Sequence, residues 1–244
     1  MRILDVVQGS EAWLHARLGI PTASQADKIL TPARLKPSSS AASYRTQLLA
    51  EWVQGYPIDW SGQSQFMERG TDLEPEARAA YELETDADVT TVGLCVRDDG
   101  LFAGSPDGLV GDDGGLEIKC AALHTHIGYM LDPSSLAAEY RGQPQALMYL
   151  TGRAWWDLWA YHPELPAVRV RIERDPEYVA AFAPALDAFI AELLRGREML
   201  EPHRRTPPTV EAVAAAGMSP DHAGDLTALL GDAAPTRRDA LAEG

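Results

Sequence analysis

Three residues near the middle of the chain have the types and spacing for metal-assisted hydrolysis. They are Asp107, in Ser105-Pro106-Asp107-Gly108, and Glu117 and Lys119, in Glu117-Ile118-Lys119. Along a strand, side chains alternate between faces, so Glu117 and Lys119 point one way while Ile118 turns into the core. The intervening Gly111-Asp112-Asp113-Gly114-Gly115 is a turn sequence, able to fold the chain back and set the Asp107 carboxylate beside that of Glu117. A hard divalent cation such as Mg²⁺ takes oxygen ligands in octahedral geometry, commonly one or two carboxylates with waters and substrate phosphates at the other positions. Lys119 would stand beside a water on that ion. A plain structural reading exists for each piece, since Ser-Pro-Asp-Gly is also a good β-turn and Glu-x-Lys is common on exposed strands. The combination of proline before the first acid, a glycine-rich reversal and Glu-x-Lys closing an apolar strand favours chemistry.

The elements that must position these residues can be read outward from them. Residues 88–97 and 101–104 predict a hairpin closed by Asp98-Asp99-Gly100, followed by a strand over 116–120. Upstream, Ser10 caps a helix running through Arg17, Gly19-Ile20-Pro21 forms a loop, and a second helix opens near Thr22 to Ser24. The Pro-, Ser- and Ala-rich stretch 32–43 predicts a mobile connection before a helix over 44–54. Over 67–82, Leu73, Ala77, Ala80 and Tyr81 share a helical stripe, and Glu74 falls on its inward side. The alternative for Glu74 is an acid placed near a helix N-terminus by the helix dipole. A helix is expected over 136–149, with Pro144 starting or kinking its regular part. Residues 154–161 and 168–173 read as strands, the second with Val168, Val170 and Ile172 inward and Arg169, Arg171 and Glu173 outward. Asp175-Pro176 opens a long helix to about residue 200. The layout expected is one α/β domain over 1–200 and a Pro/Ala-rich, partly flexible tail over 201–244.

Size and composition bound what this layout can do. At 244 residues with 45% hydrophobic content the chain can bury a substantial core, and no apolar run approaches the roughly 20 residues needed to span a bilayer, so no membrane partner is expected. Met1-Arg2-Ile3-Leu4-Asp5 meets an acid too early for a secretory signal. Cys95 and Cys120 offer neither a disulfide framework nor an iron–sulfur or Cys-based zinc site, and both are expected reduced and buried. A net charge of −15 argues against coating nucleic acid by bulk electrostatics, yet the charge is segregated. Residues 1–56 carry six basic side chains (Arg2, Arg17, Lys28, Arg34, Lys36, Arg45) against four acids (Asp5, Glu11, Asp27, Glu51), a balance of +2, and the remainder sums to −17. The N-terminal part is therefore the one expected to face phosphates, with the acidic excess facing solvent or holding metal. His124 and His126 lack further zinc ligands nearby and are expected at the surface or near DNA. Trp155, Trp156 and Trp159 sit at strand spacing and are expected in the core or a subunit interface rather than stacked on bases.

Several blocks coincide in order with one family. The segments Trp13–Ser24, Gly70–Glu82, Ser105–Leu109, Leu116–Cys120, Gln143-Pro144-Gln145 with Met148–Thr151, and Ile172–Asp175 resemble the lambda exonuclease, or YqaJ-type viral recombinase, branch of the PD-(D/E)XK nucleases. The likeness spans residues 8 to about 198. It implies a restriction-endonuclease-like α/β core, with a central mixed β-sheet flanked by helices. It implies that Asp107 and Glu117 ligate Mg²⁺, or Mn²⁺ as a substitute, with the Ile118 main-chain carbonyl, and that Glu74 acts at a second metal or through water. Lys119 would orient and stabilise the attacking water, completing the catalytic set Glu74, Asp107, Glu117 and Lys119. Arg17, Ser24, Ser105 and Gln145 match positions lining a pocket for a terminal 5′-phosphate, Gln143 being supporting because Pro144 replaces the usual aliphatic residue between the glutamines. The implied activity is 5′ to 3′ degradation of double-stranded DNA ends, preferably 5′-phosphorylated, to 5′-mononucleotides, leaving a 3′ single strand for recombination. A homotrimeric ring, a single-strand annealing protein as partner, and a cytoplasmic place in a bacterial host, phage or prophage encoded, are likewise implied. The alternatives are an endonuclease or CRISPR-adaptation nuclease of the same superfamily, or a catalytically silent DNA-binding homologue.

Overall fold

The computed structural model describes residues 1–58 and 65–205. The chain begins with strand β1 (Arg2–Leu4) and helix α1 (Glu11–Ala16), whose Ser10 cap accepts a hydrogen bond from the Trp13 N–H as expected from the sequence. A 3-10 helix (Ala23–Lys28) leads into a two-stranded ladder of β2 (Leu30–Thr31) and β3 (Lys36–Pro37), and α2 (Ala41–Gln54) follows. The stretch expected to be a mobile connection thus contains a paired strand, and the helix after it starts three residues earlier than predicted. Helix α3 (Gln65–Thr85) covers the amphipathic segment and buries Ala77 and Tyr81 on the predicted stripe.

The predicted strand over 88–97 is instead two, β4 (Val89–Thr90) and β5 (Leu94–Val96), and they join different sheets. Gly93 lies between them where a Cβ would collide with the backbone of Leu4 and Val6, so the chain bends there against its own N-terminus. Strand β5 pairs with β1 and with β6 (Ala103–Gly104) in a three-stranded sheet. Strands β7 (Gly108–Val110) and β8 (Gly114–Lys119) form the expected hairpin. Then come α4 (Leu123–Leu131), α5 (Pro133–Tyr140), α6 (Gly142–Thr151), β9 (Trp155–His162), β10 (Leu165–Glu173) and α7 (Pro176–Leu200). The single helix expected over 136–149 is two, broken at Arg141, so Pro144 falls in the first turn of α6 where a missing N–H costs little. Helix α4 was not predicted. A 3-10 turn (Glu201–His203) follows α7, and from residue 206 the tail expected over 201–244 falls outside the described residues.

The central sheet has the order β10-β9-β8-β7-β4 and is mixed, with β8 and β9 parallel and the other neighbours antiparallel. Alternation along β9 divides its side chains between two layers. Trp156 belongs to the core that α2, α6 and α7 close, and Leu158 and Ala160 to a cluster with Tyr129 of α4 and Leu136 of α5. Trp159 packs against Ala77 and Tyr81 of α3, its indole N–H donating to the Ala77 carbonyl at 2.9 Å. Trp156 and Trp159 are core residues, and Trp155 is partly covered, with the Arg171 guanidinium 3.5 Å from its ring centroid. Parallel pairing of β8 with β9 is possible only because Gly114 and Gly115 leave room: a Cβ at either would overlap the ring of Trp155 or Trp156. His126 is fully buried rather than at the surface. Its ring lies 5.7 Å from that of His162, and its Nε2 sits 2.9 Å from the Pro166 carbonyl. Cys95 is buried, but Cys120 is only half-buried. Among the described residues no helix is long and apolar enough to cross a membrane.

Candidate functional site

Strand register places the acids. Gly108 pairs with Leu116 in the β7–β8 ladder, so Asp107 and Glu117 are the next residues facing each other, just past its end. Asp107 lies on the crossing from β6 to β7, and its Oδ2 accepts the Ile118 N–H at 2.6 Å. Glu117 and Lys119 share the face of β8 opposite Ile118, which is buried against α3. Helix α6 and the end of α5 cover that face, leaving Glu117 only 3% exposed. Gln143 of α6 donates from Nε2 to Glu117 Oε1 at 2.6 Å, and Lys119 Nζ donates to the same oxygen at 2.8 Å. The ammonium also reaches Gln143 Oε1 at 3.4 Å and stands 4.5 Å from the ring centroid of Tyr140. From the α3 side, Arg78 pairs with Glu74 one turn earlier, and its Nε donates to the Asp107 carbonyl at 3.3 Å.

Charge in this corner is unbalanced. Burial, then the carboxylates of Glu117 and Glu74, hold Asp107 well above the usual carboxylate range. Burial also raises Glu74, Arg78 opposing it only in part. Burial works against the Lys119 charge, but Glu117 and Asp107 outweigh it and raise the amine above its ordinary value. Glu117 Oε2 is buried with no hydrogen-bond partner. An orphaned carboxylate oxygen beside two more carboxylates, with Asp107 held toward protonation, is a donor set suited to a hard cation. Among the described residues no three His, Cys, Asp or Glu side chains are gathered closely enough to cage an ion unaided.

The same cleft, about 550 Å³, continues to a second group of residues. Arg17, just after α1, lies with its guanidinium carbon 4.2 Å from the Trp13 ring centroid and donates to Thr22 Oγ1 at 3.3 Å. Thr22 Oγ1 is 3.3 Å from Ser24 Oγ, and the Trp13 indole N–H donates to Ser105 Oγ at 2.6 Å. The loop carrying Thr22 is fixed from behind: Tyr44 OH accepts the Thr22 N–H, Glu51 accepts the Gly19 N–H, and Arg197 donates to the Gly19 carbonyl. Arg17, Ser24 and Ser105 therefore line one cleft with Glu74, Asp107, Glu117, Ile118 and Lys119.

Gln145 does not. It is 1% exposed and turned away, its Nε2 donating to the Glu173 carbonyl and its Oε1 accepting the Asp175 N–H. Residues two apart on a helix point to opposite sides, so Gln143 and Gln145 cannot both face the cleft, and Gln143 is the one that does. Sequence reasoning singled out neither Trp13, Thr22 nor Tyr140 for the site. Arg78 had a readable signal, an Arg four residues after Glu74 on one helix.

A family model for the YqaJ-like viral recombinase domain matches residues 12–154. Among solved structures, an alkaline exonuclease (LHK-Exo) from Laribacter hongkongensis is 37% identical, with 79% of this chain and 96% of that chain covered and a TM-score of 0.68. Its complex with dAMP superposes with a TM-score of 0.70 at 38% identity over the same coverage. A phage related exonuclease from Haemophilus somnus 129PT, at 16% identity, TM-score 0.52 and coverage of 80% and 96%, shares the fold. No curated protein matches. With a family model covering more than half of the chain, and a relative this similar over nearly its whole length, the chain belongs to the YqaJ-like viral recombinase family.

Proposed function

We propose that this chain is a metal-dependent exonuclease that degrades double-stranded DNA from 5′ ends to 5′-mononucleotides, leaving a 3′ single strand for recombination by annealing. The observation that carries the reading is that Arg17, Ser24 and Ser105 share one cleft with Asp107, Glu117 and Lys119. One guanidinium and two hydroxyls suit the oxygens of a terminal phosphate. An end held there sets a phosphodiester before the acids. The alkaline exonuclease activity named for the relative from Laribacter hongkongensis, and its binding of dAMP, support the same substrate class.

Asp107 and Glu117, with the Ile118 carbonyl, are the residues to hold Mg²⁺ or Mn²⁺, and Glu74 lies on the side from which a second ion or its water would be reached. When bound, such an ion acidifies water and offsets charge on the scissile phosphate. Lys119 keeps its proton near neutral pH and is anchored by Glu117 and Gln143, so its ammonium meets developing negative charge with little reorganisation. Gln143 spends both ends of its amide, donating to Glu117 and accepting from Lys119, and so fixes the two relative to each other. Arg17 stacks on Trp13 and lines the cleft, where its guanidinium is the group to meet the end phosphate. A ring of three chains, an annealing protein as partner and action in the cytoplasm complete the reading.

The test is digestion of linear 5′-phosphorylated duplex, linear 5′-hydroxyl duplex and covalently closed circular DNA with Mg²⁺, repeated with Mn²⁺ and with EDTA. Mononucleotide release from linear duplex, fastest with a 5′-phosphate and abolished by EDTA, is expected. Efficient cutting of the closed circle would replace this reading with that of an endonuclease.

A further inference from the structure

Resting on the metal reading above, we infer that Gln8 is a positioning residue for the proposed ion: its side-chain amide pins the peptide in front of Asp107 and so sets where that carboxylate stands. Asp107 lies on the crossing from β6 in the three-stranded sheet to β7 in the central sheet, so neither ladder holds it in place. Its neighbour Pro106 has no N–H with which to anchor the crossing. Gln8 supplies the anchor. Its Nε2 donates to the Pro106 carbonyl at 2.8 Å and to the Val92 carbonyl at 3.0 Å. Both partners can only accept, so the NH2 end of the amide is the one that faces them, and both of its hydrogens are used. Val92 precedes Gly93, where the chain passes the other way, from β4 in the central sheet to β5. One side chain therefore ties together the two crossings between the sheets.

The effect on Asp107 follows from the rigidity of peptide units. Each is planar, so fixing the units on both sides of a Cα fixes its φ and ψ and hence the direction of its Cβ. Gln8 holds the unit before Asp107 through the Pro106 carbonyl, and Arg78 Nε holds the unit after it, donating to the Asp107 carbonyl at 3.3 Å. Oδ2 then takes the Ile118 N–H at 2.6 Å, which leaves Oδ1 for an ion. Gln8 itself is placed by a turn: the Ser10 N–H returns to the Val7 carbonyl at 3.0 Å, with Gly9 at φ 81° in the left-handed region. Trp13, on the helix that this turn opens, donates to Ser105 Oγ at 2.6 Å, so the segment 8–13 holds two successive residues ahead of Asp107. Gln8 lines the cleft yet spends its hydrogens on the main chain that carries a ligand, and partners of that kind commonly govern metal affinity.

The experiment titrates Mn²⁺ into the full chain without DNA, reading the free ion by electron paramagnetic resonance. It is run on the parent and on Gln8→Met, Gln8→Asn, Asp107→Asn and Gln145→Ala, each checked for its thermal transition. Met keeps the length of Gln without its hydrogens, whereas Asn keeps the amide but is shorter by one C–C bond, about 1.5 Å, too short for these carbonyls. Both Gln8 variants are expected to weaken Mn²⁺ binding about tenfold, and Asp107→Asn at least as much. The Mg²⁺ concentration for half-maximal digestion should rise in step in the Gln8 variants, with KM for DNA at saturating Mg²⁺ unchanged. Gln145→Ala, altered away from the cleft, should bind Mn²⁺ as the parent does. If Asp107→Asn keeps the parental affinity, the metal reading itself fails. If Asp107→Asn loses the ion while the folded Gln8 variants keep the parental affinity, only the role of Gln8 is overturned. A loss in Gln145→Ala as large as in Gln8→Met also overturns that role, because stability rather than placement would then be responsible. Should Gln8→Met not fold, Gln8→Asn decides alone.

Discussion

Asp107 couples the fold to the chemistry through its proton. Burial and the neighbouring carboxylates raise its folded value above the unfolded one, so between the two values the folded protein binds more protons than the unfolded chain. Stability therefore falls as pH rises through that window, and above it the full repulsion of three crowded carboxylates, offset only in part by Lys119 and Arg78, is present. The divalent cation proposed for this site would remove that cost. Asp107→Asn is accordingly expected to raise the melting temperature of the metal-free protein at pH 8, where about 1 kcal/mol corresponds to roughly 2–4 °C for a domain of this size. It should also abolish the rise that Mg²⁺ gives the unsubstituted protein. Scanning fluorimetry with and without Mg²⁺ reads both, and a metal-free variant less stable than the parent would contradict the charge account. Asp107, Glu117 and Lys119 were legible because strand alternation and a glycine turn are local rules. That Gln143 and Gln145 cannot face the same side follows from helix geometry, but which of them meets the cleft is set by packing that a motif match does not give.

Helix α6 gives those two glutamines separate tasks that substitution can split. Gln143 belongs to the Glu117–Lys119 cluster, so Gln143→Ala should lower kcat more than it lowers stability. Gln145 ties α6 to the junction of β10 and α7 through the Glu173 carbonyl and the Asp175 N–H. Gln145→Ala strips partners from two backbone groups and should cost about 1–3 kcal/mol in a urea titration. A Gln145→Ala variant with unchanged stability but lost phosphate preference would return that residue to the cleft. Gly115 is the corresponding hinge of the sheet. Gly115→Ala forces a Cβ into the Trp156 ring, at about 1–3 kcal/mol, and should displace Glu117 two residues on, lowering activity as well. The elements that escaped the sequence share a cause. The break at Gly93 is set by contact with Leu4 and Val6, far along the chain, the β2–β3 ladder is a two-residue local pairing inside a Pro- and Ser-rich stretch, and α4, with His126 buried on it, follows the core strand without a side-chain cap. Elements with capping side chains, α1 at Ser10 and α7 at Asp175, were found where predicted.

At the scale of the whole molecule, charge decides how DNA can be held. Residues 1–56 carry +2 and the rest −17, a segregation read directly from the sequence, whereas subunit arrangement depends on surfaces that no local pattern announces. Not every N-terminal cation is free for phosphates. Arg45 pairs with Glu192 and Lys28 lies against the Tyr44 ring, while Arg2, Arg34 and Lys36 are exposed and Arg17 lines the cleft. Each phosphate neutralised contributes about −0.9 to the slope of log K against log salt, so if the N-terminal face alone meets the DNA, the four cations Arg2, Arg17, Arg34 and Lys36 limit one chain to a slope of about −4. A ring that surrounds the duplex adds cations from its other members to the same DNA. The proposed trimer is therefore expected to show a slope steeper than that limit, measured on a duplex with Ca²⁺ in place of Mg²⁺ to prevent hydrolysis. Its mass in solution should be three times the 26.5 kDa of one chain. A species of single-chain mass with a slope inside the single-chain limit would leave the cleft chemistry standing and remove the ring. DNA would then be gripped by one end at one cleft, and degradation should become distributive, releasing the duplex between cuts, because nothing would enclose it.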